Sequence, residues 1–186
     1  MTNYIYEDNL QSERLKTRKL TEADIAIWEE FFESPEATEF LNLASLGLNS
    51  NHEYSTHMIR KQLDRYEEKR FGLQVLIDKK TNNFIGLCGL LAQDIEGKIE
   101  IEVGYHILKK YWGQGYATEA AKLFFDYAFK NELANSIISI IDPGNIKSQR
   151  VAQKNGLTLH KQTKWMDNMD VYIYRIDDNK PQAKPI

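Results

Sequence analysis

Lys98 to Leu123 reads KIEIEVGYHILKKYWGQGYATEAAKL, and three signals follow one another in it. Ile99 to Leu108 has the β-branched and aromatic residues of a strand. A short polar link and the turn Trp112-Gly113-Gln114-Gly115-Tyr116-Ala117 come next. From Tyr116 a helix is expected, because Ala117, Ala120, Ala121, Phe124 and Ala128 recur at helical spacing. A strand that passes through a glycine turn into a helix makes an anion site. The first N–H groups of the helix have no intrahelical partner, and the positive end of its dipole points at the turn. Glycines there keep side chains away from an approaching diphosphate.

Working outward from this stretch, short breaks set the topology. Phe71–Ile77, Phe84–Ala92 and Ile99–Leu108 read as three consecutive strands, separated by the turn-like segments 79–83 and 94–98. Such short breaks imply an antiparallel meander. Upstream, Glu13–Leu20 reads as a first strand. Thr21 with Glu22 and Asp24 starts a helix whose Ile25, Trp28, Phe31 and Phe32 share a face, and Ser34-Pro35 ends it. Residues 37–50 fit no single element, and 51–69 reads as a longer helix. Downstream come a buried strand, Ser136–Ile141, the loop 142–145, a helix Ile146–Lys154 and two strands, Leu157–Trp165 and Val171–Ile176. Residues 1–12 are expected to be an arm, 13–176 one domain, and 177–186 a disordered tail.

At 186 residues the length suits one domain with a sizeable core. A net charge of −3 argues against nucleic-acid or anionic-membrane partners. The longest apolar run, Phe84 to Ala92, is far short of the roughly 20 residues a membrane helix needs. The N-terminus lacks the basic-then-apolar pattern of a signal peptide, and Cys88 is the single cysteine. These readings point to a cytoplasmic protein. His52 and His57 are five apart on a helix, about 140° at ~3.6 residues per turn, so they do not share one metal as an HExxH pair does. No metal is expected.

The turn resembles the coenzyme A loop of the GCN5-related N-acetyltransferases, Q/R-x-x-G-x-G/A, here Trp112-x-x-Gly115-x-Ala117. The longer string EVGYHILKKYWGQGYATEA is similar to the subfamily that acetylates ribosomal-protein N-termini. Trp112 stands where Gln or Arg is usual, and Lys109 where Pro is common. The resemblance implies an α/β (α+β) acyltransferase fold, a mixed, mostly antiparallel sheet flanked by helices. It also implies acetyl-CoA as co-substrate and transfer to a primary amine by direct attack in a ternary complex. N-terminal protein amines, small-molecule amines and polyamines remain open as acceptors, and a homodimer is possible.

The resemblance places the pantetheine arm along the fourth strand, against the backbones of Tyr105 and Ile107, with His106 between them. It places the diphosphate on Trp112, Gly113, Gln114, Gly115, Tyr116, Ala117 and Thr118, and a pantetheine contact on Asn145, which also reads as a helix cap. Glu100 and Glu102 lie two apart on the strand and share a face. Glu102, just before Gly104-Tyr105 in the string, is the first candidate for the base that takes the ammonium proton, and His106 is the reserve. Many members carry a Tyr on the following helix to meet the departing thiolate. Ala152 occupies that place, which leaves Ser148 for the role, or as a residue that bonds the backbone at the helix start. Two other readings stay open. One is a non-catalytic acyl-CoA sensor or interaction module on the same fold. The other is a dinucleotide-binding unit sketched by Gly113-x-Gly115 and Asp142, against which stands Thr118 at the third glycine position.

Overall fold

The computed structural model describes residues 7–166 and 168–178. Its elements follow the order β1 (Leu15–Arg18), α1 (Asp24–Phe32), α2 (Pro35–Thr38), α3 (Asn51–Glu67), β2 (Leu73–Asp78), β3 (Phe84–Ile95), β4 (Lys98–Ile107), α4 (Tyr116–Lys130), β5 (Ser136–Ile141), α5 (Ile146–Lys154), β6 (Thr158–Trp165) and β7 (Met169–Asp177). Single 3-10 turns sit at Leu43–Leu46 and Lys109–Tyr111. The strands form one sheet in the order β1-β2-β3-β4-β5-β7-β6. Every pairing is antiparallel except β4 with β5. A dinucleotide-binding unit needs successive parallel strands joined by crossover helices. The antiparallel run from β1 to β4 overturns that reading.

The β3–β4 hairpin shows why the expected five-residue break is shorter in space. Ile95 pairs with Lys98, leaving a two-residue loop of Glu96 (φ 56°) and Gly97 (φ 82°). Two left-handed residues make the turn whose twist matches the strands, so pairing runs to the very end of both. Gly86 serves the other end. A Cβ there would lie 2.2 Å from the carbonyl oxygen of His106, so only glycine lets the two backbones approach.

Each sheet face carries its own core. On one side Trp28, Phe31 and Phe32 of α1 pack with Ile59 of α3 against Leu73, Val75, Ile77 and Leu87. Trp28 stacks on Phe31 at 4.5 Å between ring centroids and meets Phe32 edge-on at 6.5 Å. On the other side Ala120, Ala121, Phe124 and Ala128 of α4 pack against Leu90, Ile101, Val103 and Ile137. The helical spacing read from the sequence is therefore the buried stripe of α4. Trp28 is fully buried. Trp28→Ala should cost about 3–5 kcal/mol, measured as a lower urea midpoint at unchanged slope.

Three local expectations change. The first helix starts at Asp24, with Ala23 as an N-cap without a side-chain bond. Thr21 instead donates its N–H and hydroxyl to the Asp24 carboxylate, which also takes a bidentate contact from Arg18 at 2.6 and 2.8 Å. Asp24 is both the acidic residue of the first turn of α1 and a tether between β1 and that helix. At α3, Ser50 accepts from the Glu53 N–H at 3.2 Å while the Glu53 carboxylate takes the Asn49 N–H at 2.7 Å, a capping-box arrangement visible in the sequence as Ser-x-x-Glu. The described part of the expected loose arm, residues 7–12, is tied down. Leu10 is buried, and its N–H and C=O bond the Thr17 hydroxyl and N–H. Residues 179–186 of the expected tail lie outside the described residues, and 177 and 178 continue β7, with the Asp178 N–H on the Asn135 carbonyl.

Candidate functional site

β4, the turn after it and α4 form a continuous corner. Gly113 (φ 74°) and Gly115 (φ 83°) are both left-handed, and Gly115 is the N-cap of α4. The first intrahelical bond runs from the Glu119 N–H to the Gly115 carbonyl at 3.0 Å, so the N–H groups of Tyr116, Ala117 and Thr118 precede it. A Cβ on Gly113 would meet no protein atom within 4 Å. The turn is thus a cradle of backbone donors with open space over it, and it fits an anionic diphosphate.

The chain braces this cradle from behind. Arg14 of the β1 entry donates to the Gln114 carbonyl at 2.9 Å, lies 4.4 Å over the Tyr116 ring and pairs with Glu119 at 2.6 Å. The Tyr116 hydroxyl turns inward to Asp78 at 2.8 Å, and the Thr118 carbonyl takes the Asn155 amide at 3.1 Å. The Trp112 indole N–H donates to the Ile107 carbonyl at 2.8 Å, and Lys147 of α5 sits 4.2 Å over that ring. Trp112 and Tyr116 thus brace the turn through their side chains, and Thr118 through its backbone carbonyl.

β4 and β5 share a single described rung, Glu102 with Ile138. Beyond it the Ser139 hydroxyl reaches the Val103 carbonyl at 3.3 Å, and the strands part. The antiparallel register with β3 fixes which way each backbone group of β4 points. The Leu108 N–H bonds the Ile85 carbonyl, and alternation then turns the even-numbered residues of β4 toward β3. Tyr105 and Ile107 turn theirs toward β5, past the single rung that the two strands share. His106, expected among the coenzyme contacts, turns its backbone toward β3 and sets its ring edge-on to Phe31 at 5.6 Å.

Glu100, Glu102, Gly104 and His106 share one sheet face, the one on which Phe31 of α1 meets His106. Glu102 is 9% exposed and its carboxylate is bonded by the Gln93 amide at 2.7 Å, with the Ile140 N–H at 3.5 Å. Burial raises its pKa above the ordinary glutamate value, and those contacts, with the charge of Arg65, offset part of the rise. Glu100 differs. Burial pushes its pKa up, but Arg175 at 2.9 Å and Lys98 at 2.8 Å outweigh that and hold it below the ordinary value. Two glutamates on one strand face are thereby separated, one paired in an ion triad and one held, among the described residues, by the Gln93 amide and the Ile140 N–H. Burial alone pushes His106 down to about 4, so its imidazole is neutral at pH 7.

Ser148 lies in the first turn of α5. Its N–H is capped by the Asn145 side chain at 3.0 Å, and its hydroxyl is 2.7 Å from the Tyr105 hydroxyl. The large aromatic residues of the helices and the last strands divide. Trp28, Phe31 and Phe32 are core, Tyr54 stacks on Phe32 at 5.6 Å, Trp165 packs beside Ile138 and Ile173, and Tyr172 lies on the opposite side. A cleft of about 580 Å³, lined by Ile95, Lys98, Glu100, Lys161 and Arg175 among others, opens at the start of β4, away from the glycine turn.

A family model described as an acetyltransferase (GNAT) domain matches residues 14–158. The chain belongs to this family. Among curated relatives, the uncharacterized protein YkkB of Bacillus subtilis (strain 168) is 41% identical over 108 residues, 56% of this chain and 63% of YkkB, so the match spans less than two thirds of that relative. A Bacillus licheniformis protein described as an uncharacterized N-acetyltransferase, p20, is 28% identical over 91% of this chain and 96% of its own. An acetyltransferase structure from Agrobacterium tumefaciens superposes with a TM-score of 0.73 at 26% identity, covering 93% of this chain and 96% of that one. RimL, a ribosomal L7/L12 α-N-protein acetyltransferase solved with coenzyme A, has a TM-score of 0.75 at 16% identity over 93% and 100% of the two chains, a likeness of fold.

The GNAT chain is an N-acetyltransferase with a seven-stranded, mostly antiparallel sheet. Among the described residues no helix is long and apolar enough to cross a membrane. Sequence reasoning missed Arg14 and Gln93, which support the site without carrying a motif, and gave no role to Glu119 within the quoted string. Their partners are more than a hundred residues away for Arg14 and across a hairpin for Gln93, so no local spacing marks them.

Proposed function

We propose that this GNAT enzyme moves an acetyl group from acetyl-CoA to a primary amine, either a protein N-terminus or a small-molecule amine, by direct attack while both substrates are bound. The observation that carries this reading is the end of β4–β5 pairing after the Glu102–Ile138 rung, on the part of β4 that leads into the glycine turn, with Glu102 buried in that rung. The N–H groups of Gly113 to Thr118 take the diphosphate, and the outward backbone of Tyr105 and Ile107 takes the pantetheine arm as an added strand would. The N–H of Tyr105 is the donor for the thioester carbonyl as it becomes an oxyanion. Glu102 accepts the ammonium proton, and the Ser148 hydroxyl donates a hydrogen bond to the departing sulfur. The amine approaches along the face of Glu102 from the cleft at the start of β4.

The test is release of free thiol from acetyl-CoA across a panel of peptides with free N-termini, polyamines and small amines. Thiol release that depends on one acceptor class supports the reading. Tight acetyl-CoA binding with no turnover on any of them makes the protein a sensor. Ser148→Ala should lower kcat by about ten-fold or less, one step of ~1.4 kcal/mol, because the coenzyme thiol is already a fair leaving group. The Michaelis constant for acetyl-CoA should stay within about two-fold, since a bond that strengthens only as the sulfur leaves adds nothing to ground-state binding. An unchanged kcat leaves Ser148 as a helix-start residue.

A further inference from the structure

Helix α5 has no phenol at Ala152, yet a phenol does reach its first turn, from β4. Tyr105 Oη lies 2.7 Å from Ser148 Oγ and 3.3 Å from the Ser148 carbonyl oxygen. Ala152, one turn further along, is 3% exposed, and its cluster is the one the Tyr105 ring packs against. A small residue on the helix leaves room for a large one on the strand. Asn145 occupies the Ser148 N–H, so cap and phenol together fix both the backbone and the hydroxyl of this serine.

A serine hydroxyl has one proton to give and two lone pairs to fill. A phenol is the stronger donor and weaker acceptor of the two hydroxyls. Burial raises the phenol of Tyr105 above its ordinary value, so it keeps its proton throughout the working range. We infer that Tyr105 is the positioning residue of Ser148: its hydroxyl donates to Ser148 Oγ, which turns the serine's own proton toward the coenzyme sulfur. This rests on the acetyl-transfer reading above. In the step concerned the acceptor nitrogen bonds the acyl carbon, the carbon–sulfur bond breaks, and sulfur leaves with the electron pair. The ammonium proton goes to Glu102. Ser148 lends a hydrogen bond and keeps its proton, and the thiolate is protonated from solvent. One residue therefore serves both ends of the thioester, its N–H at the carbonyl and its phenol behind the serine at the sulfur.

The experiment is a double-mutant cycle with acetyl-CoA and an acceptor that the wild type uses. Tyr105→Phe keeps the ring and should keep the melting temperature within a few degrees. It should lower kcat about three- to ten-fold, the worth of one hydrogen bond, with the acetyl-CoA Michaelis constant unchanged within about two-fold. In a Ser148→Ala background the same substitution should do nothing further, because its only route to the sulfur is gone. Equal losses in both backgrounds, or no loss in the wild-type background, overturn the inference while acetyl transfer stands. A wild type that acetylates no amine in the panel sinks the transfer reading and this inference together.

Discussion

Glu102→Gln should lower kcat at neutral pH by about 10²–10⁴-fold, the usual worth of a positioned general base. An alkyl amine arrives as ammonium, with a pKa near ~10, and cannot attack until its proton leaves. Glu102 is buried and held by Gln93 at 2.7 Å. The sign of its pH dependence follows from the direction of the shift. A raised carboxylate pKa means the base form is lost at a higher pH than for an ordinary glutamate. The acid limb of the wild-type rate profile should therefore lie higher in pH than an ordinary glutamate would place it. In the Gln variant that limb disappears, and activity recovers as pH rises and free amine accumulates. Stability moves the other way. A buried group whose folded pKa is raised favours the folded state most when protonated, so ionisation costs stability as pH rises through that window. The neutral Gln variant should melt no lower than wild type at pH 7, which separates lost catalysis from lost folding. A wild-type profile in the variant removes Glu102 from the mechanism. His106→Gln is the next measurement in that case, although an imidazole pushed down to about 4 is a much weaker base.

Gly115→Glu should weaken acetyl-CoA binding by at least about 100-fold, ~2.7 kcal/mol. Three effects act together. The residue is at φ 83°, where a side chain is strained. The new Cβ would stand 3.4 Å from Arg14 Nη2, against the brace that holds the turn. The new carboxylate would sit before the N–H groups of residues 116–118 and repel the diphosphate they are placed to bind. Gly115→Asn separates these causes, since Asn tolerates the left-handed conformation and brings no charge. It should lose much less. Gly113→Glu, at φ 74° but with no protein atom within 4 Å of its Cβ, keeps the backbone strain and the charge and removes the clash with the Arg14 brace. Calorimetry on folded variants reads all three, and unchanged affinity in both Glu variants would move the coenzyme site elsewhere.

The sequence by itself determined the order of elements and the glycine turn. Both rest on local physics: helical and strand periodicities, breaks too short for crossovers, and the backbone freedom of Gly113 and Gly115. It also placed Glu100 and Glu102 on one face, because strand side chains alternate. It could not say which of the two is paired, since the cations that decide it differ in their reach. Lys98 is local to Glu100, but Arg175 comes from β7 and meets Glu100 only because β7 lies next to β5 in the sheet. Likewise the sequence offered Tyr105 as a backbone contact and Ser148 as a lone hydroxyl, 43 residues apart. Only the tertiary contact between the first turn of α5 and β4 brought their hydroxyls together, and only the loss of pairing between β4 and β5 left the backbone of Tyr105 and Ile107 without a strand beside it. Periodicity fixes which face a side chain takes. What it meets there depends on long-range packing, and that is where this chain's chemistry is assembled.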